Sequence, residues 1–141
     1  MYKRQIFAVF ITTASADEDN GYVFNYVYPD MGGINFDGYM AEMNKRTLYY
    51  TGVDVNENDK ILTLSTCTRE VDTRSCRADC RIVILARMVR DGESEQVNTS
   101  AAYENENPKY PQICLLYTSP ATLPPLFATA LFSSKFFGFS D

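Results

Sequence analysis

The strongest strand signal in the chain is the run Arg81-Ile82-Val83-Ile84-Leu85-Ala86-Arg87-Met88-Val89. Its nearly continuous aliphatic and β-branched residues predict a buried strand. A second apolar run lies upstream at residues 60–66, where Ile, Leu, Thr and Ser predict a mostly buried strand that ends at Cys67. A polar connection at residues 68–80 joins the two runs. The centre of the fold is therefore predicted to be a β-sheet that contains both strands.

Farther upstream, the sequence predicts another strand, a short extended segment and one helix. Residues 5–13 are rich in Ile, Phe, Val and Thr without helical spacing, which predicts a strand. Residues 21–28 hold an aromatic, β-favouring cluster that ends quickly at Pro29, so a short strand or an ordered loop is expected. From Asn35, a candidate N-cap, the spacing becomes helical for about three turns. The apolar positions of this helix are Phe36, Tyr39, Met40 and Met43.

The composition restricts the classes of protein to which the chain can belong. A chain of 141 residues with 45% hydrophobic and 22% charged residues is typical of one globular domain. The formal net charge of −5 and the pI near 4.7 argue against nucleic acid or an anionic membrane surface as a partner. The chain contains no histidine, which excludes Ser/His/Asp triads, complete Cys/His pairs and the commonest zinc ligand sets within it.

The two ends of the chain differ from its middle. The apolar run at residues 6–11 is too short for a signal peptide, and the run at residues 121–132 is too short for a membrane span and contains two prolines. Residues 113–141 carry only two charged residues, Lys135 and Asp141, and follow neither strand nor helix periodicity. Within it, the run Cys114-Leu115-Leu116-Tyr117-Thr118-Ser119-Pro120 resembles translated sequencing-adapter read-through, as does the opening Met1-Tyr2-Lys3-Arg4-Gln5. We therefore expect residues 113–141 to be a non-native or irregular tail.

The site-forming pattern is a cysteine at the end of one strand followed by an arginine that opens the next. The run Asp59-Lys60-Ile61-Leu62-Thr63-Leu64-Ser65-Thr66-Cys67-Thr68 resembles the Thr-Leu-x-Thr-Cys region of class B sortases, and Arg81 takes the place of the arginine that leads their last strand. The helix leading into Tyr49-Tyr50-Thr51-Gly52-Val53 adds to the likeness. The resemblance covers roughly residues 5–112, and it implies that residues 1–112 are the C-terminal part of a sortase catalytic domain.

This resemblance implies a fold, an activity and a location. The expected fold is all-β: a partial sortase-type eight-stranded barrel with one inserted helix. The expected activity is cysteine transpeptidation, in which a cell-wall sorting signal of the Asn-Pro-x-Thr type is cleaved after Thr and joined to a peptidoglycan amine. The class needs no cofactor and no metal. Its members are anchored by an N-terminal segment and face outward from the cell membrane, and that segment is expected to be missing here.

The site residues follow from the resemblance and from the chemistry of acyl transfer. Cys67 is the expected nucleophile, because a thiolate at a strand end near a cation is favoured over one in a core. Arg81 is the expected donor to the oxyanion and the substrate backbone, because its guanidinium is always charged. Ser65, Thr66 and Thr68 are expected to flank Cys67 in the substrate groove.

The sequence departs from the family in three respects, and other interpretations stay open. One departure is the tail at residues 113–141, which matches no sortase element. The histidine that acts as acid and base in sortases lies upstream of the cysteine, and none is present, so residues 1–141 are expected to be inactive alone. The connection to Arg81 is long and contains three rival arginines, Arg69, Arg74 and Arg77. The alternatives to a transpeptidase are a general cysteine hydrolase and a non-catalytic thiol or zinc-binding module.

The remaining cysteines could bind a metal ion or form a redox pair. Cys76 and Cys80 together with Cys67 offer three thiolates, and Cys114 is the candidate fourth ligand. Cys76 and Cys80 could equally form a redox pair, a local disulfide or two free thiols. The spacing alone selects none of these.

Overall fold

A computed structural model describes residues 3–27, 35–68 and 79–113 of the chain. It forms a small, mostly β domain with one helix. Within the described ranges, no helix is both long and apolar enough to cross a membrane. In chain order the elements are β1 (Arg4–Thr13), α1 (Phe36–Arg46), β2 (Tyr49–Tyr50), β3 (Ile61–Cys67), β4 (Cys80–Met88) and β5 (Tyr103–Glu104).

The main sheet has three strands in the order β1-β4-β3, and both pairings are antiparallel. Strand β4, which has the strongest sequence signal, is the central strand and is flanked on both sides. Strands β2 and β5 form a separate two-residue antiparallel pair. The prediction of a β-rich domain with one helix is confirmed, but the strands in the described part of the chain do not close into a barrel.

Side-chain alternation gives the main sheet two different faces. The face that packs against α1, called here the helix face, carries Phe10, Val83 and Leu85, all of which are fully buried. The opposite face, called here the open face, carries Ile82 and Ile84 on β4. At one end of the open face, Ile11 and Cys80 pack with Tyr110 and Ile113. On strand β3 the open face presents Leu62 and Leu64, which are 37% and 43% exposed.

Helix α1 forms as its spacing predicts. The Asn35 side chain accepts a hydrogen bond from the backbone N–H of Gly38 at 3.0 Å, which satisfies one of the amide groups at the helix start. Tyr39 and Met43, one turn apart, are buried against the helix face. The helix ends at Arg46, whose side chain is fully buried. The helix is thus fixed to the sheet by apolar contacts, and its buried Arg46 contacts the loop at residues 22–27.

One prediction about the strands needs correction. Strand β3 is not mostly buried: it lies at the edge of the sheet, and five of its seven residues are exposed. Residues 22–27 form an ordered loop, which is one of the two outcomes expected there, with Phe24 buried and Val27 exposed. Residues 69–78 and residues 114–141 lie outside the described part of the chain. The prediction of a non-native tail therefore stays a prediction.

Candidate active site

Cys67 and Arg81 lie directly opposite each other on neighbouring antiparallel strands. Thr68 donates its backbone N–H to the carbonyl of Cys80 at 3.0 Å, which makes that pair a hydrogen-bonded one. Because pair types alternate along an antiparallel ladder, Cys67 and Arg81 form the non-hydrogen-bonded type, in which side chains approach more closely. Arg81 lies two residues before the buried Val83 on β4, and Cys67 lies opposite Arg81. Both side chains are therefore on the helix face, at the end of the strands beyond the buried core. Cys67 is exposed, and the side chain of Arg81 is one-third exposed.

Of the three residues predicted to line a groove beside Cys67, only Ser65 shares its face. Ser65 is two residues before Cys67 on the same strand, so their side chains project in the same direction. Thr66 is paired with Ile82 and projects from the open face, and Thr68 continues the same alternation beyond the strand end. The structure therefore brings together Cys67, Arg81 and Ser65.

The guanidinium of Arg81 has an acidic neighbour, Asp79. Its Nη2 atom lies 3.6 Å from Oδ1 of Asp79, and more than half of the Asp79 side chain is exposed. Asp79 is held by its backbone: its N–H donates to the Glu18 carboxylate, and its carbonyl accepts from the N–H of Ala14 at 3.0 Å. The start of β4 is therefore fixed to the turn that follows β1. The exposed ion pair itself adds little to stability.

Tyr26 reaches the site from the loop at residues 22–27. Its hydroxyl lies 3.0 Å from the hydroxyl oxygen of Ser65, and its ring meets Phe10 edge to face at 6.1 Å between centroids. Phe24, two residues earlier, packs on Phe10 and stacks on Tyr39 of α1. The sequence analysis did not select Tyr26, although the alternation of Phe24 and Tyr26 was a signal that both face inward.

Behind this loop, a buried arginine joins the helix to the loop's aromatic residues. The guanidinium carbon of Arg46 lies 5.5 Å and 5.1 Å from the ring centroids of Tyr22 and Phe24. Its Nη2 donates to Oε1 of Glu42 at 2.8 Å. Partial burial would raise the pKa of Glu42, but hydrogen bonds from Lys109, Lys45 and Arg46 outweigh it and lower that pKa to about 2.

A surface hollow of about 420 Å³ lies over this cluster. Cys67 and Arg81 do not line it, so it is separate from the candidate active site. Its lining residues are Tyr22, Val23, Phe24, Asn25, Asn35, Gly38, Tyr39 and Glu42.

The structure separates Cys67 from Cys80. Cys67 is exposed on the helix face, whereas Cys80 precedes Arg81 and is buried on the open face beside Ile11. Two of the three cysteines considered as metal ligands, Cys67 and Cys80, thus lie on opposite sides of the sheet. Among the residues that the structure describes, no group of His, Cys, Asp or Glu is arranged to hold a metal ion. The rival arginines, Cys76 and Cys114 lie outside the described residues.

Comparisons with protein-family models, with curated proteins and with solved structures gave no match to this chain. The assignment of a function therefore depends on the geometry around Cys67.

Proposed function

We propose that this chain is the later part of a cysteine transpeptidase of the class B sortase type. The observation that carries the proposal is the direct pairing of Cys67 with Arg81 on one face of the sheet. An exposed thiol on the same face as a permanent cation is an arrangement that acyl transfer through a thioester can use. The resemblance around Thr63-Leu64-Ser65-Thr66-Cys67 supplies the substrate class, a sorting-signal peptide cleaved after Thr.

The proposed reaction has two acyl-transfer steps. In the first, the thiolate of Cys67 attacks the Thr carbonyl carbon, and Arg81 donates to the oxygen that becomes negative. The C–N bond then breaks, the leaving amine takes up a proton, and a thioester remains on Cys67. In the second step, a peptidoglycan amine attacks the thioester, a new amide forms, and the thiol of Cys67 is released. Neither step needs a metal or a cofactor.

The proposed reaction also needs a group that protonates the leaving amine. Sortases use a histidine for it, and the chain has none. The hydroxyls of Tyr26 and Ser65 lie beside the site, but they hydrogen-bond to each other. We therefore propose that residues 1–141 hold the nucleophile and the oxyanion donor of the site, while the acid and base is supplied by upstream sequence of the parent protein.

The same proposal includes a sortase-type barrel as the fold of the parent protein. The three-stranded sheet fits the later strands of a sortase-type eight-stranded barrel, with α1 inserted between the first of them and the strand that ends in the cysteine. Support comes from the outer edge of β3 and from the exposed leucines of the open face, which a closed barrel would cover. The parent protein is proposed to be anchored at the cell membrane with this domain facing outward.

Covalent capture of a peptide tests the proposal without the missing histidine. We would incubate the chain with an Asn-Pro-x-Thr peptide whose Thr ends in a thiol-reactive chloromethyl ketone in place of the scissile amide, and with a scrambled peptide bearing the same group. Peptide mapping then gives the labelling rate at Cys67. We expect Cys67 to react faster with the sorting peptide than with the scrambled one, and Cys67→Ala to remove that label.

The role of Arg81 is tested with a matched pair of variants. Arg81→Ala should abolish the preference for the sorting peptide, whereas Arg4→Ala, which removes an exposed arginine from β1, should leave it unchanged. Iodoacetamide labelling of Cys67 provides the reference rate for each variant. Equal rates with both peptides in the wild-type chain would contradict the transpeptidase proposal. Stoichiometric zinc in the purified protein would favour the zinc-binding alternative.

A further inference from the structure

A carboxylate accompanies the cation at the Cys67 end of the sheet. Oδ1 of Asp79 lies 3.6 Å from Nη2 of Arg81, which is too far for a good hydrogen bond but close enough for the two charges to interact. Arg81 is the antiparallel partner of Cys67, in the pair type whose side chains approach closely. The thiol of Cys67 is therefore near enough to both charges for each to act on it, since salt at 0.1 M screens charges over about 10 Å.

The position of Asp79 does not depend on its contact with Arg81. The N–H of Asp79 donates to both carboxylate oxygens of Glu18, at 2.9 and 3.1 Å, and its carbonyl accepts from the N–H of Ala14 at 3.0 Å. Glu18 also accepts a hydrogen bond from the hydroxyl of Thr13, the last residue of β1. The backbone that carries the Asp79 carboxylate is thus fixed, and its charge stays near Arg81 even when the exposed ion pair opens.

This carboxylate changes what the guanidinium can attract. Arg81 contributes one positive charge near Cys67, and Asp79 contributes one negative charge beside it. A guanidinium alone attracts anions, including carboxylates. A guanidinium with a fixed carboxylate next to it keeps N–H donors for a neutral carbonyl oxygen, but it attracts an anion less because the two charges offset each other.

We propose that Asp79 is a specificity-determining residue of the Cys67 site, which makes the site accept a neutral acyl group in preference to an anionic one. The inference rests on the proposed function, because it takes Cys67 as the nucleophile and Arg81 as the oxyanion donor. An internal peptide bond presents a neutral carbonyl, whereas the acid that forms when water hydrolyses a thioester ends in a carboxylate. The charge of Asp79 therefore favours the peptide and disfavours rebinding of the acid.

Two alkylating reagents that differ in charge test the proposal on the 141-residue chain. Iodoacetamide is neutral and iodoacetate is an anion; in both reactions the Cys67 thiolate forms a bond to carbon and iodide leaves. Peptide mapping gives the rate constant for each reagent at Cys67. The ratio of the iodoacetate rate to the iodoacetamide rate cancels differences in the accessibility and ionisation of the thiol, so it reports the charge near it.

Removing the charge of Asp79 should make Cys67 more reactive toward the anion. Asp79→Asn keeps the size of the side chain and should raise the ratio about two- to fivefold at low salt, the size expected for an interaction between exposed charges. Arg81→Ala should lower the ratio. The matched control is Glu57→Gln, which removes a negative charge from an exposed turn before the far end of β3 and should leave the ratio unchanged.

Salt and a second variant separate the charge of Asp79 from its packing. The rise in Asp79→Asn should disappear at high salt, because the screening length falls to about 3 Å at 1 M, whereas a change in packing would persist. Asp79→Glu keeps the charge and should keep a ratio near that of the wild type. An Asp79→Asn ratio equal to that of the wild type, or a rise that persists at high salt, would overturn the proposal. The measurement uses no sorting peptide, so its failure is distinct from that of the transpeptidase proposal, which fails if Cys67 shows no peptide preference.

Discussion

Replacing Glu42 by Gln removes the charge that holds the buried guanidinium of Arg46, and the loss can be estimated from the structure. The Glu42 side chain is 19% exposed and accepts hydrogen bonds from Lys45, Arg46 and Lys109. Its pKa falls from 4.5 to about 2, despite the opposing effect of burial. At about 1.4 kcal/mol for each pKa unit, the carboxylate contributes about 3 kcal/mol to the free energy of unfolding at neutral pH.

The pH dependence separates this effect from a general packing defect. A carboxyl whose pKa is lowered in the folded state contributes its full stability above the unfolded value of 4.5, and it loses that contribution as the pH falls toward 2. We therefore expect urea unfolding, followed by circular dichroism at fixed protein concentration, to show Glu42→Gln about 3 kcal/mol less stable than the wild type at pH 7. The difference should shrink steadily between pH 4.5 and pH 2.

The control is Glu57→Gln, which removes one negative charge from an exposed turn residue. This change should alter the free energy of unfolding by less than about 0.5 kcal/mol at either pH. A Glu42→Gln deficit that is the same at pH 7 and pH 2 would refute the reasoning, because the deficit would then come from packing. The guanidinium of Arg46 also lies 4.0 Å from Oδ2 of Asp19 and over two aromatic rings. A deficit below about 1 kcal/mol at pH 7 would show that these contacts are sufficient to hold Arg46.

Other predictions concern the core, the helix cap and the activity. Leu85→Ala, at a fully buried residue, should lower the free energy of unfolding by about 2–5 kcal/mol in the same assay, and a value below about 1 kcal/mol would contradict its place in the core. Asn35→Ala should lower it by about 1 kcal/mol through loss of the cap, whereas Asn35→Asp should preserve it. Residues 1–141 should show no transpeptidation in a sorting-peptide assay. A longer chain that includes an upstream histidine should transfer the peptide about 10²–10⁴-fold faster. Turnover by residues 1–141 alone would contradict this prediction.

The positions of the strands and the helix could be predicted from the sequence, but the exposure of the strands and their contacts with loops could not. The strands around Ile84 and Val9 and the helix around Met43 were located within a residue or two, because their apolar spacing is continuous and their ends carry caps or turns. The exposure of β3 could not be predicted, because an apolar run shows that a strand forms but not how many neighbours it has. The contact of Tyr26 with Ser65 was missed for a similar reason, since it joins a loop to a strand 39 residues away.

The approach of Cys67 to Arg81 depends on the register of the core. Val83 lies opposite Phe10 on β1 and opposite Ser65 on β3, so the same alternation that buries Val83 places Arg81 on the face of Cys67. A slip of β4 by one residue would move Val83 to the open face and carry Arg81 with it. The buried residues of β4 therefore penalise any register that separates the thiol from the guanidinium. It follows that core substitutions which loosen this register should weaken the peptide preference of Cys67 together with stability, whereas Arg81→Ala should change the preference alone.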